Sequence, residues 1–445
     1  MSDLLSVYER FSPEPLSGDG LKKFYVNAFE GRGDQPVKKL ARRLKNKPDG
    51  KLQILFSGYR GCGKSTELNK LQKDIGDEFV SLNFSVAKEL DPVNIRYSEI
   101  FIITMEKLFE LADTHHLSIE QDILTRIQKW YSHEELKELQ SFTGELTAEI
   151  GVEGKFGVSL LAKIFGKLRA AGNASFNTKK LITQKIEPRL SDLIGHCNTL
   201  IREIKNRLPD IGKKGLLIII EDLDKLSLSK AEELFFKHSH ILNGLQTHVI
   251  FTFPISLRHH NKSTIIKSNF DEDFELPMVK VNDKNGNPYG DGREVLQKII
   301  QKRINLNCFE NRALIEKFIA MSGGCIRDLF RMIMDAADSA LDNEREQITE
   351  ADFRKSFLRL KRDYENTVAE KRIDHQIVIS VEEYYRTLKD AAESRTKKID
   401  NTDAALDLRQ NLCILSYNDE GWSDVHPIVR RILEERELIS PPCNE

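Results

Sequence analysis

The chain has 445 residues, 67 Lys and Arg against 69 Asp and Glu, a net charge of −2, and is 40% apolar and 31% charged. That length buries a large core and holds two or three domains, while the balanced charge singles out neither nucleic acid nor an anionic membrane. No run of 18 apolar residues offers a membrane span, and residues 1–5 lack the basic and apolar stretches of a leader, so a cytoplasmic protein with no integral membrane segment is expected.

In chain order, residues 1–50 form a lead-in: Pro13, Pro15 and Gly18 predict extended chain, Val37 to Leu44 a basic helical stretch, and Lys45 to Gly50 a turn. Leu52 to Phe56 is a short apolar run, read as a buried strand. Gly58-Tyr59-Arg60-Gly61-Cys62-Gly63-Lys64-Ser65-Thr66 follows and fits GxxxxGK[ST], with Leu68 and Leu71 at helical spacing beyond it. Strand, loop and helix in that order read as a triphosphate cradle. The glycines let backbone N–H groups approach an anion, Lys64 reaches the β and γ phosphates, Ser65 offers a hydroxyl to Mg²⁺, and the helix start adds its dipole. A chance glycine-rich turn would not bring these neighbours with it.

Phe79 to Phe84 alternates and predicts a second strand, and residues 87–212 read as a long, mostly helical insert. Charge divides the insert. Glu106 to Glu149 holds ten acids and four bases, whereas Lys155 to Arg189 holds eight bases and one acid, with Phe156, Val158, Leu160, Leu161, Ile164, Phe165 and Leu168 among them. Docking of the basic part onto its acidic neighbour is the favoured reading; an acidic partner, nucleic acid or an anionic membrane surface are the alternatives. Ile186, Leu190, Leu193, Cys197, Leu200 and Ile204 form one narrow helical seam, suited to a short coiled coil or to packing within the domain.

Leu216 to Ile220 is a strand buried on both faces that ends in Glu221-Asp222-Leu223-Asp224-Lys225, and Val249 to Thr252 is another. Apolar runs separated by helices predict an α/β fold with a parallel sheet. A carboxylate beside the cradle completes a metal shell and a second orients water in line with the leaving phosphoryl group. We assign Glu221 to the metal, with Ser65, and Asp222 to the water and the metal's surroundings; Asp224 is a candidate for either role. Six cysteines, at 62, 197, 308, 325, 413 and 443, show no CxxC pair and no histidine at ligand spacing, and read as reduced thiols.

These motifs resemble the AAA+ and STAND class of P-loop ATPases, in the branch with origin-recognition-like and KAP-like ATP-binding proteins. The resemblance rests on the cradle with Ser65 to Leu68, the Ile220 to Lys225 strand end, Thr252-Phe253-Pro254, and Ser322-Gly323-Gly324-Cys325-Ile326-Arg327-Asp328-Leu329. It implies a P-loop core over residues 51–290, a helical lid over 291–345, and a linker helix with a winged-helix-like domain over 346–445. It implies Arg327 as a lid sensor of the γ-phosphate, Thr252 as a strand-end sensor, and Tyr25 and Val26 as contacts of the adenine. ATP and Mg²⁺ are the implied cofactors. Self-assembly and a separate effector protein, in a setting such as bacterial phage defence, are the implied context; nucleic acid is an alternative partner through an initiator-like role. Arg258 follows the sensor strand without an assignable role. Glu221 departs from the usual aspartate, so binding with slow turnover, as a scaffold, stays among the readings. Arg430, Arg431 and Arg436 alternate with Glu434, Glu435 and Glu437, which leaves the last helix without a basic stripe, and His426 reads as a turn or core residue.

Overall fold

Three runs rich in β-branched and apolar residues set the sheet: β1 (Gln53–Ser57), β3 (Gly215–Glu221) and β4 (His248–Phe253), in which every residue is buried. Strands hidden on both faces read as continuous apolar runs because helices cover both sides. With β2 (Phe79–Ser85) and β5 (Glu272–Glu275) they form a five-stranded, all-parallel sheet in the order β2-β3-β4-β1-β5. The computed structural model describes residues 3–440 apart from 92–93, 134–135, 143–156, 374–375, 395, 397 and 418–420.

The strand β5, Glu-Asp-Phe-Glu, carries no apolar signal and was not expected from the sequence. Its pairing with β1 supplies what its composition lacks, and Arg258 bonds Asp273 and reaches Glu275 at 2.8 Å. Arg258 is therefore committed inside its own chain. The lead-in also differs from the extended chain predicted at its start: Gly18–Phe24 is helix α1, and Pro36–Asn46 is α2, the basic helix expected there. The cradle helix α3 spans Lys64–Ile75.

Five helices of the insert are α4 (Tyr97–Thr114), α5 (Gln121–Tyr131), α6 (Val158–Ala174), α7 (Phe176–Ile186) and α8 (Leu190–Arg207). Its two charge classes meet. Arg169 on α6 grips the buried Glu106 of α4 through Nε at 2.7 Å and Nη2 at 3.0 Å, and also pairs with Glu89; Lys179 pairs with buried Glu99 at 3.0 Å. Lys185 reaches Glu138. The internal dock is thus the observed arrangement for these cations, while Lys155 and Phe156 lie outside the described residues. The predicted seam is broken by a turn at Glu187–Arg189, where Pro188 interrupts the hydrogen-bond ladder. Past the break Leu193, Cys197, Leu200 and Ile204 are buried in the core shared with α4, so the seam serves domain packing.

The lid comprises α9 (Gly290–Gln301), α10 (Arg312–Met321) and α11 (Ile326–Asp342). A long helix α12 (Glu350–Thr367), started by a reciprocal Thr349–Asp352 capping box, leads to the C-terminal part. That part contains a hairpin of β6 (Lys371–Ile373) and β7 (Gln376–Ile379), helices α13 (Val381–Glu393) and α14 (Asp403–Gln410), a wing-like hairpin of β8 (Ile414–Tyr417) and β9 (Trp422–Val425), and α15 (Pro427–Glu435). It is docked on the core by polar contacts. Tyr59 donates to Ser416 at 2.9 Å, Gln410 donates to the Asp224 carbonyl at 3.0 Å and accepts from Ser256, and Tyr417 donates to the Gly323 carbonyl at 3.3 Å. His426, fully buried, sits 3.1 Å from the Ser322 carbonyl and caps α15, as a core residue should.

This interface has an expected acid signature. Burial, helped by Arg409 and Arg258, pushes His259 down to about 3, and burial lowers His426 although Asp328 opposes the shift. Below about pH 6.5 the unfolded histidines take up protons that the folded ones refuse, so stability is complete above that pH and falls toward the folded values. For His259 the expected loss is roughly 2 kcal/mol between pH 6.5 and 5. Urea unfolding of the wild type and His259→Asn across that range checks it: the variant should lose that part of the slope.

Candidate nucleotide site

The cradle bends where its glycines stand. Gly61 and Gly63 have φ of 79° and 101°, and a Cβ at Gly61 would meet Arg327 Cβ at 2.6 Å and Cys325 Sγ at 2.9 Å. Only glycine lets the lid turn rest directly on the loop. Lys64 opens α3 and is 7% exposed; its Nζ donates to the Gly58 and Tyr59 carbonyls at 2.7 and 2.9 Å and meets Asp224 Oδ2 at 2.9 Å. Burial opposes the ammonium charge, but Asp224 outweighs it and raises the Lys64 pKa. Burial likewise pushes the Asp224 carboxyl up, and the Lys64 charge draws it below the usual carboxylate range. Asp224, open between two roles on sequence grounds, is the partner of the cradle lysine.

The other acids take their places from strand register. Ser85 at the end of β2 lies opposite Glu221 at the end of β3. Asn83 accordingly donates to Glu221 at 2.8 Å, while the Ser85 hydroxyl donates to Asp222 at 2.5 Å. Asp222 also pairs with Lys225 at 2.7 Å, and its φ of 69° puts it in the left-handed region, a conformation that for a side-chain-bearing residue costs about 1–2 kcal/mol. All three acids line one cleft of about 600 Å³ together with Ser65, Thr66 and Arg60 of the cradle. Tyr25 and Val26 line it from the lead-in, Tyr25 donating to Glu67 at 3.1 Å. Arg327 lines it from the first turn of the lid helix, close enough for its charge to oppose that of Lys64.

Three predicted contact residues stand behind the cleft and do not line it. Thr252, fully buried in β4, accepts from the Leu223 N–H at 3.1 Å and so props the acidic turn. Gly58 offers its carbonyl to Lys64, and Cys62 offers its carbonyl to Arg32. The five described cysteines, 62, 197, 308, 325 and 413, are buried and form no disulfide with one another; Cys443 lies outside the described residues.

Two arginines of the site were missed by sequence reasoning. Arg32 is 3% exposed, donates Nη2 to the Cys62 carbonyl at 2.7 Å and Nη1 to the Pro277 carbonyl, and so ties lead-in, cradle and the entry to the lid. Arg303, just after α9, lines the apolar end of the cleft with Phe24, Ile299 and Phe330. Neither lies in a motif; only the chain's return to the cradle brings them there.

Magnesium with a triphosphate fits this set. Ser65 offers a hydroxyl and Glu221 and Asp222 offer carboxylates, whereas no group of three or more His, Cys, Asp or Glu able to hold a metal occurs among the described residues. Such a sparse donor set suits a hard ion that keeps waters and takes most of its oxygens from phosphates.

The chain is similar to several solved structures at low identity. Pyrobaculum aerophilum Cdc6p is 11% identical over 96% of this chain and 98% of its own, with a TM-score of 0.41. Aeropyrum pernix ORC1, solved in complex with DNA, is 11% identical over 94% and 95%, with a TM-score of 0.37. A Walker-type ATPase of Pyrococcus abyssi is 15% identical over 95% and 99%, with a TM-score of 0.42. No curated protein matches. The model of the KAP family P-loop domain, however, matches residues 34–322, from the lead-in to the turn before the lid arginine and more than half of the chain, and the protein belongs to the KAP family of P-loop proteins.

Proposed function

We propose that the protein binds ATP with Mg²⁺ in this cleft, hydrolyses it, and uses the nucleotide to set the position of its lid and C-terminal part. One observation carries the reading: Lys64, the carboxylates of Glu221, Asp222 and Asp224, and Arg327 converge on a single cleft from cradle, strand end and lid. Ser65 and Glu221 are the groups that would hold the metal, which when bound offsets phosphate charge. Asp222 is the group placed to orient a water, and Lys64, freed from Asp224, the one to meet phosphate oxygens.

Turnover of ATP by the full chain, lost in Lys64→Ala and Asp222→Ala, is the expected result; a wild type that binds no ATP would remove the reading. Arg327→Ala should lower the preference for ATP over ADP about tenfold, the worth of one charge-assisted contact to the third phosphate. An unchanged ratio in titrations of both nucleotides would show that Arg327 is no sensor.

A second reading, binding with slow turnover, is favoured by the engagement of both candidate acids: Glu221 by Asn83, and Asp222 by Ser85 and Lys225. Single-turnover hydrolysis separates the two. DNA binding through the C-terminal part is disfavoured by its docking, since α14 faces the core with Arg409 2% exposed, and Arg430 and Arg431 pair with Asp424 and Glu434. Salt-dependent binding of duplex DNA would overturn that. Oligomeric assembly, a separate effector and a role in phage defence extend the proposal and rest on resemblance alone.

A further inference from the structure

The apolar end of the cleft contains one charged group that the proposed chemistry does not use. Arg303 is 4% exposed, and its guanidinium lies 5.3 Å from the Phe24 ring centre and 4.7 Å from that of Phe330. Nη1 is committed, donating to the carbonyls of Ile299 at 3.0 Å and Phe24 at 3.3 Å. Nε is buried and has no acceptor. No carboxylate pairs with Arg303 among the described residues, and burial lowers its pKa to about 10.

A cation held this way is expensive to keep. A buried charge without a counter-ion, with one donor unsatisfied, is a standing penalty on folding unless something else completes it. The two phenyl rings cover part of the guanidinium by cation–π contact, yet rings accept no in-plane hydrogen bond. What remains is the guanidinium edge beyond Nη1, and Arg303 lines the cleft beside Phe24, Tyr25, Val26, Ile299 and Phe330. A nucleotide whose phosphates sit at the cradle would have its base in the remainder of the cleft, which Arg303, Tyr25 and Val26 line. A purine presents ring-nitrogen acceptors in its plane, which is the geometry a guanidinium edge reads.

We infer that Arg303 is a specificity-determining residue that donates to a ring nitrogen of a bound purine, making this a purine nucleotide site read through an acceptor. The inference rests on the nucleotide reading of the cleft. It deepens that reading by naming what selects the base.

The test is a titration of the full chain with ATP, with its 1-deaza, 3-deaza and 7-deaza analogues, each lacking one purine acceptor, and with tripolyphosphate, which has no base. In the wild type one deaza analogue should bind about tenfold or more weakly than ATP, the worth of one well-placed donor. In Arg303→Met that difference should disappear, while tripolyphosphate affinity stays within about twofold of wild type. Arg303→Lys, which keeps the charge and loses the fork, should restore only part of the discrimination. If Arg303 merely pins Phe24, its removal would weaken ATP and every analogue alike, and that outcome overturns the inference, as does wild-type indifference to all three analogues. If the wild type binds tripolyphosphate but not ATP, the phosphate cradle stands and base recognition fails. If it binds neither, the nucleotide reading itself is wrong and the inference falls with it.

Discussion

Lys64→Met is expected to abolish measurable ATP binding and, separately, to destabilise the fold by about 3–5 kcal/mol, because it strands the Asp224 carboxylate. Lys64 and Asp224 are each only about 7% exposed and stand 2.9 Å apart. Removing one member of a buried pair leaves a charge with neither water nor partner, and the loss is mostly that penalty. A second substitution then discriminates. Lys64→Met with Asp224→Leu should recover most of the stability in urea unfolding and none of the ATP affinity. If both singles and the double were equally unstable, the pair would not be the source of the effect. The pH profile carries the same information with a definite sign. Asp224 is held below the usual carboxylate range, so its share of stability is present above the unfolded carboxyl value near 4 and is lost as pH falls through the lower folded value. The Asp224→Leu variants should lack that acid limb.

Gly324→Ala is the second change with a large expected effect, a loss of more than about 3 kcal/mol. Gly324 has a φ of 84°, and a Cβ there would lie 1.7 Å from the Val279 carbonyl oxygen, which is backbone and has nowhere to go. Gly286 provides the control. Its φ is 89°, but nothing lies within 4 Å of an added Cβ, so Gly286→Ala should show conformational strain alone, about 1–2 kcal/mol. Chemical unfolding of the two variants measures the difference between strain and collision. Equal losses would mean that the contact of the lid turn with the Val279 backbone does not exist as described. The consequence reaches the site, since Gly324 ends the turn that delivers Arg327 onto Gly61. Any Gly324→Ala protein that still folds should therefore have lost part of its preference for ATP over ADP.

Local order was readable where the chemistry is local. The cradle needs eight consecutive residues, Gly58 to Ser65, the buried strands β1, β3 and β4 announce themselves by apolar runs, and Gly323-Gly324 before Arg327 marks a turn into a helix. The cradle motif places Lys64 and Ser65 at the phosphates, and the acidic end of a buried strand, through its resemblance to P-loop ATPases, places Glu221 and Asp222 beside them. Composition misled where neighbours supply what the segment lacks: the acidic β5 is a strand because β1 pairs with it and Arg258 neutralises it. Pro188 sits inside a heptad-like pattern that periodicity alone reads as one helix. Thr252 was placed at the phosphates by resemblance, yet its hydroxyl is spent on the Leu223 amide behind the acidic turn.

The sequence by itself therefore determined the P-loop cradle with its flanking strand and helix, because that motif depends on backbone turns and side chains within a few residues of one another. Tertiary structure decided the rest. It chose Asp224 as the partner of Lys64, since burial makes that pairing obligatory for both charges. It closed the apolar end of the cleft with Arg303 and tied the cradle to the lead-in with Arg32, 245 residues from its acceptor Pro277. It also turned the C-terminal part toward the core, through Tyr59, Ser416 and Gln410. Such long-range contacts are selected by shape and by the cost of leaving a buried polar group unpaired, and neither quantity has a signature along the chain.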